Sequence, residues 1–164
     1  MKKNILLNLA YLSGDVKSKF DINWDRLQND NEYVFTLKPG ETFAFHDSVL
    51  RNYQGNVVIT TNAHFNSSEG FLSDGYLVGD GVCHFASIIN WVARDAGLDV
   101  VVTKNHDFAK IEEVPKEYGV SIYVNPTNGY GAQNNLYITN NKNQIVDFRF
   151  EYKNEELKVS VVES

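Results

Sequence analysis

The sequence predicts an α+β domain in which one dominant helix, about residues 84–96, packs against a mainly antiparallel β-sheet. Three observations carry this expectation. Phe85, Ile88, Ile89, Val92 and Ala96 recur at the spacing of one helical face. Elsewhere, short β-branched and aromatic runs alternate with clusters of turn-forming residues. No repeat, linker or break in composition divides the 164 residues, a length that suits one domain with a real core.

Taken in order, residues 4–12 read as a short helix stopped by Ser13-Gly14-Asp15, and the polar stretch 21–31 as a helical turn or loop. Residues 33–37 form a strand closed by Lys38-Pro39-Gly40-Glu41. Pro followed by Gly suits a type II turn, where the third position needs positive φ. Strands follow at 42–45 and 56–61, then an Asn/Ser/Gly-rich surface loop at 62–75. Gly79-Asp80-Gly81 turns tightly into the helix, and Gly97 stands where a C-terminal glycine cap belongs. Residues 98–103 and 120–124 read as strands, with a turn at 125–129. Residues 136–139 and 145–152 read as a hairpin around Asn140-Asn141-Lys142-Asn143, and 157–162 as a last strand.

Composition excludes several classes of function. The apolar fraction of 43% and aromatic fraction of 13% are those of a globular chain. A net charge of −6 with no run of Lys or Arg argues against nucleic acid and against docking on anionic lipid. No apolar stretch reaches membrane-spanning length, so membrane insertion of this segment is not expected. The first ten residues imitate a signal peptide, but their apolar core is short and broken by Asn4 and Asn8. The chain therefore reads as cytoplasmic or as an excised domain without its export signal. A single cysteine forbids an intrachain disulfide. The glycine turn lacks either nucleotide-binding pattern, and no cofactor is expected. His46, His64, His84, His106 and Cys83 lack the close paired spacing of metal ligands, so no metal site is expected either.

The chemistry-bearing residue is Cys83, in the first turn of the helix. Unpaired N–H groups and the helix dipole there favour a thiolate, which predicts a lowered thiol pKa. The same N–H groups would serve as oxyanion donors. Gly79 and Gly81 would let the backbone approach a substrate, with Asp80 and His84 beside it. A base is expected from His106. The helix advances roughly 20 Å and a returning strand covers about 23 Å, so the chain should bring His106 back to the Cys83 end. The alternative is a free cysteine that only packs in the core.

Two motifs carry a family resemblance. Leu37-Lys38-Pro39-Gly40-Glu41-Thr42-Phe43-Ala44-Phe45 resembles the VanW-like "L-x-P-G-E-x-F-S-F" motif, and Gly79-Asp80-Gly81-Val82-Cys83-His84 resembles "G-G-G-V-C-Q". Ala96-Gly97-Leu98-Asp99-Val100-Val101 is similar to "A-G-L-E-I-V", and His106 falls on the second histidine of "H-P-H-S". The likeness covers about residues 33–150. It implies an exported, extracytoplasmic protein of the bacterial cell envelope, from a family named for an accessory gene of glycopeptide-resistance clusters. Lys104 replaces the first histidine of "H-P-H-S", and His84 replaces the glutamine of "G-G-G-V-C-Q". Gly119-Val120-Ser121-Ile122 stands where "D-A-T-V" is common, which removes the natural orienter of His106. Asp107, Ser121 and Asn125 are the residues that would substitute.

The function expected from these residues is amide hydrolysis or acyl transfer on a peptide or peptidoglycan-like substrate. Cys83 would be the nucleophile and His106 the base, in an arrangement resembling transglutaminase-like and papain-like enzymes. The alternative is a non-catalytic module that binds wall peptide or glycan through exposed aromatics such as Trp24, Tyr53 and Tyr76, or a purely structural domain.

Overall fold

The computed structural model describes residues 1–74, 78–107, 109–124 and 133–164. Helix α1 spans Lys2–Ser13 and ends at Gly14, whose φ of 81° gives the left-handed cap that its lack of a Cβ permits. Helix α2, Trp24–Leu27, is a single turn capped by the Asn23 side chain. Helix α3, Val82–Asp95, is the long element predicted. It closes with paired bonds from Gly97 N–H to the Arg94 carbonyl and from Leu98 N–H to the Ala93 carbonyl, a Schellman ending.

Seven strands complete the described fold: β1 (Asn31–Leu37), β2 (Thr42–Ala44), β3 (Val57–Ile59), β4 (Asp99–Val102), β5 (Leu136–Thr139), β6 (Val146–Lys153) and β7 (Glu156–Glu163). They form two sheets rather than one, in the orders β1-β6-β7 and β3-β2-β5-β4. All pairings are antiparallel except β2 with β3. The α+β class with one dominant helix is therefore what the chain adopts.

The expected 136–152 hairpin is corrected: β5 pairs with β2 and β4, while β6 pairs with β1 and β7. The chain changes sheets at Asn140, just as it changes sheets at Gly40 between β1 and β2. The two crossing points bond each other, Gly40 N–H to the Asn140 carbonyl at 2.8 Å and Asn140 N–H to the Glu41 carbonyl at 3.0 Å. The Asn140 side chain, buried, donates to the Leu37 and Gln144 carbonyls. The buried Asn140 amide is thus satisfied, with its oxygen accepting from Lys142 N–H.

Phenylalanines join the layers. Phe35 stacks on Phe43 of the other sheet at 5.1 Å and on Phe148 at 4.8 Å, and Phe85 of α3 meets both Phe45 and Phe150. The stretch expected as a surface loop at 62–75 adds Ala63, Phe65 and Phe71 to this core, so it is a packed connection. Its polar composition hid three apolar anchors. The predicted strand at 120–124 makes one isolated bridge, Asn105 with Val120. The predicted turn at 125–129 lies outside the described residues.

Candidate functional site

The buried face of α3 includes Phe85, Ala86, Ile89 and Ala93, with Val82 at its start. Cys83, Ser87 and Asn90 follow one another at helical spacing along one flank, and this polar stripe meets the segment 118–122. Ile122 N–H points at the Cys83 sulfur at 3.4 Å, and the thiol faces the Ile122 carbonyl at 3.9 Å. One turn on, Ser87 Oγ donates to the Cys83 carbonyl at 2.6 Å and accepts from Val120 N–H at 2.9 Å. A further turn on, the Asn90 amide donates to the Tyr118 carbonyl at 2.9 Å. Trp91 stacks on Tyr118. The segment is zipped along the helix.

Its other edge meets the chain that follows β4. Ser121 N–H donates to the Lys104 carbonyl, and His106 N–H donates to the Gly119 carbonyl. Residues 118, 120 and 122 thus bond toward α3, while 119 and 121 bond toward 104–106. Residues 104–106 and α3 bond to opposite edges of the segment 118–122, which puts one stretch of backbone between His106 and the helix. Cys83 is brought to Ile122. On the His106 ring, Nδ1 meets the Ala109 carbonyl at 3.0 Å.

The expected lowering of the thiol pKa is corrected. Burial pushes the Cys83 thiol above its ordinary value, the Ile122 N–H opposes that, and Asp80 adds to the rise. Desolvation of the thiolate outweighs the Ile122 N–H.

The glycine turn has the geometry predicted, with φ of 84° at Gly79 and 102° at Gly81. The close approach it allows is to the chain itself: a Cβ on Gly81 would lie 2.6 Å from the Met1 carbonyl oxygen, and one on Gly79 would lie 3.1 Å from that of Phe65. The Asp80 carbonyl accepts from the Asn4 side chain, and its carboxylate meets the Met1 amino group at 3.2 Å. His84 Nδ1 sits 3.4 Å from the Met1 sulfur, and burial lowers its pKa. Asp107 is exposed and Ser121 is buried. Asn125, like Tyr76, lies outside the described residues. Trp24 carries the Lys3 ammonium over its ring, and Tyr53 stacks on Tyr137.

Two further features were not singled out from sequence. The first is a polar lattice around His46, which is fully buried. His46 Nδ1 accepts from Ser48 N–H, so Nε2 carries the proton and donates to the Asn134 carbonyl at 3.0 Å. Asn135 accepts from the N–H groups of His46 and Leu136 and donates to the carbonyls of His46 and Ser48. Burial holds the His46 pKa down at about 4. The second is a cleft of about 550 Å³ whose lining includes the apolar Ile111, Val114 and Pro115 together with His106, Lys110 and Lys116. The polar stripe of α3 was a readable signal for the first contact described above. Nothing periodic marks the cleft.

Among the described residues, no group of three His, Cys, Asp or Glu side chains could hold a metal ion. No described helix is long and apolar enough to cross a membrane.

A two-sheet α+β domain, with a glycine turn and a cysteine opening its main helix, is the class these features define. The family model described as VanW like protein matches residues 31–162, and the chain belongs to that family. Helices α1 and α2 lie outside the match. Comparison with curated proteins and with solved structures returns no match.

Proposed function

We propose that this VanW-like domain is a binding module of the cell envelope that takes a wall peptide or glycan into the cleft lined by residues of the 106–119 loop. The observation that carries this reading is the setting of the thiol: half-buried, bonded to the Ile122 backbone and raised in pKa by desolvation. A nucleophile needs thiolate character and a base in reach. The cleft supports the positive half of the reading, because its size falls among those of small-ligand sites and its floor is apolar with a few polar groups at the edge. His106, the residue shared with the family's histidine motif, stands on its wall.

Alkylation of Cys83 by iodoacetamide across pH 7–10 tests the first half. The native thiol should react at least ~10-fold more slowly than in denaturant, with a midpoint above that of a free thiol. Titration of the Cys83→Ser variant with soluble muropeptides and wall glycan fragments tests the second half, and amide resonances of residues 109–119 should shift as in the parent. Fast alkylation at neutral pH, together with binding or turnover lost in Cys83→Ser, would restore the cysteine-dependent enzyme and sink this proposal.

A further inference from the structure

The charges of the 106–119 loop are sorted between two faces. The loop carries Asp107, Glu112, Glu113 and Glu117 against Lys110 and Lys116, so its acids outnumber its lysines. The cleft selects the opposite balance: Lys110, Lys116 and His106 line it, with Asp107 as the one carboxylate. Glu113 instead lines a separate groove with Lys2 and His84. In a chain of net charge −6, this is a local reversal of sign. Neither Lys110 nor Lys116 has an ion-pair partner among the described residues, whereas Lys2, Lys142 and Lys158 are each paired with a glutamate. Between the two lysines in sequence lie Ile111, Val114 and Pro115, which give the cleft its apolar floor.

Resting on the binding reading above, we infer that the cleft takes a carboxylate borne on a short apolar body. The apolar part lies on Ile111, Val114 and Pro115, and the carboxylate meets the ammonium groups of Lys110 and Lys116. A cation pair over an apolar floor favours this ligand for two reasons. The floor removes hydrocarbon from water. The exposed lysines bring two ammonium groups to the rim of that surface, where a carboxylate makes a charge-assisted contact. A neutral ligand gains only the first contribution. A cationic one is repelled. The chemistry has two natural sources, the free C-terminus of a peptide with apolar residues and a free acyl acid.

The test is titration of the full chain, followed by amide resonances, with N-acetyl-Val-Leu acid, the same dipeptide as its C-terminal amide, octanoate and octanol. The acids should saturate shifts at residues 109–116 and bind at least ~10-fold more tightly than their neutral counterparts, a difference that one charge-assisted contact supplies. Lys110→Gln with Lys116→Gln, checked for an unchanged spectrum elsewhere, should bring acid and neutral forms together. A tighter peptide acid assigns the site to a chain terminus, and a tighter octanoate assigns it to an acyl acid. Equal binding of acid and neutral forms, or acid binding untouched in the double variant, overturns the carboxylate while leaving a binding cleft. Should muropeptides, wall glycan fragments and all four probes leave these resonances unmoved, the binding reading itself fails.

Discussion

His46 and His106 are both imidazoles near the ends of strands, yet they occupy opposite kinds of region. Around His46 each ring nitrogen and each amide group of Asn135 has a protein partner, and the site is sealed. Around His106 the loop leaves a cleft edged by lysines without ion-pair partners among the described residues. Among the described residues, polar groups are mutually satisfied around His46 and two lysines stand unpaired at the cleft, which on the proposed binding reading separates the groups that stabilise from those that recognise. Stability should be vulnerable in the first region, recognition in the second.

The sharpest way to break that comparison is Asn135→Ala. It strands the N–H of His46 and of Leu136 in a buried site, takes the side-chain donor from the His46 carbonyl and leaves the Ser48 carbonyl only the Tyr137 hydroxyl, so a loss of about 3 kcal/mol is expected. Urea unfolding monitored by tryptophan fluorescence measures it, and a loss below about 1 kcal/mol would show that the lattice contributes little.

Acid should act on the same region. The folded His46 pKa of about 4 lies below its ordinary 6.5, so the unfolded chain binds the proton first as pH falls. The contribution is full above pH 6.5 and is lost progressively between 6.5 and 4, by about 3 kcal/mol in all. Unfolding free energies from pH 7.5 to 4.5, with the His46 ring resonance followed in parallel, check both the window and the group. A ring that titrates near 6.5 in the folded protein contradicts the sealed lattice.

Asn8 supplies a control of opposite sign. It is fully buried on α1, and neither polar atom of its amide has a hydrogen-bond partner among the described residues. Asn8→Leu, close in shape and apolar, should raise stability by roughly 1–2 kcal/mol. A shift of the thermal midpoint upward is the expected readout, and destabilisation would mean that the amide is satisfied in solution.

The smallest effect belongs to the cleft. Lys110→Gln with Lys116→Gln should change unfolding free energy by less than about 0.5 kcal/mol, because neither side chain makes a structural contact of the His46 kind. A large loss would dissolve the distinction between the two regions.

Much of the frame was readable from residue order. The spacing of Phe85, Ile89 and Val92, the Gly97 cap and the Pro39-Gly40 turn all act locally, and the structure follows them. The family motifs were readable too. The second sheet was not, because strands 136–139 and 145–152 are apolar in the same way whichever sheet receives them. Asn140 bonds back to Leu37 where the chain changes sheets, and one asparagine among three in a turn-like run gives no hint of that. The surroundings of Cys83 were half legible. Its place at the helix start follows from the glycine turn, and Ser87 and Asn90 extend its polar stripe. The insertion of residues 118–122 between helix and His106 depends on a tertiary path, and a stretch with one isolated bridge leaves no periodic trace.

The bonded crossing of the two sheets sets a rule for assembly during synthesis. Leu37 and Asn140 are 103 positions apart, and β1 has β6 as its strand partner. A growing chain that has emitted α3 therefore holds β1 with no strand partner, and β2 paired with β3 alone, until β5 and β6 leave the ribosome. Such long-range closure is slow and leaves nascent surfaces exposed to mispairing. A premature stop anywhere before β6 should yield an aggregating fragment rather than a smaller working domain.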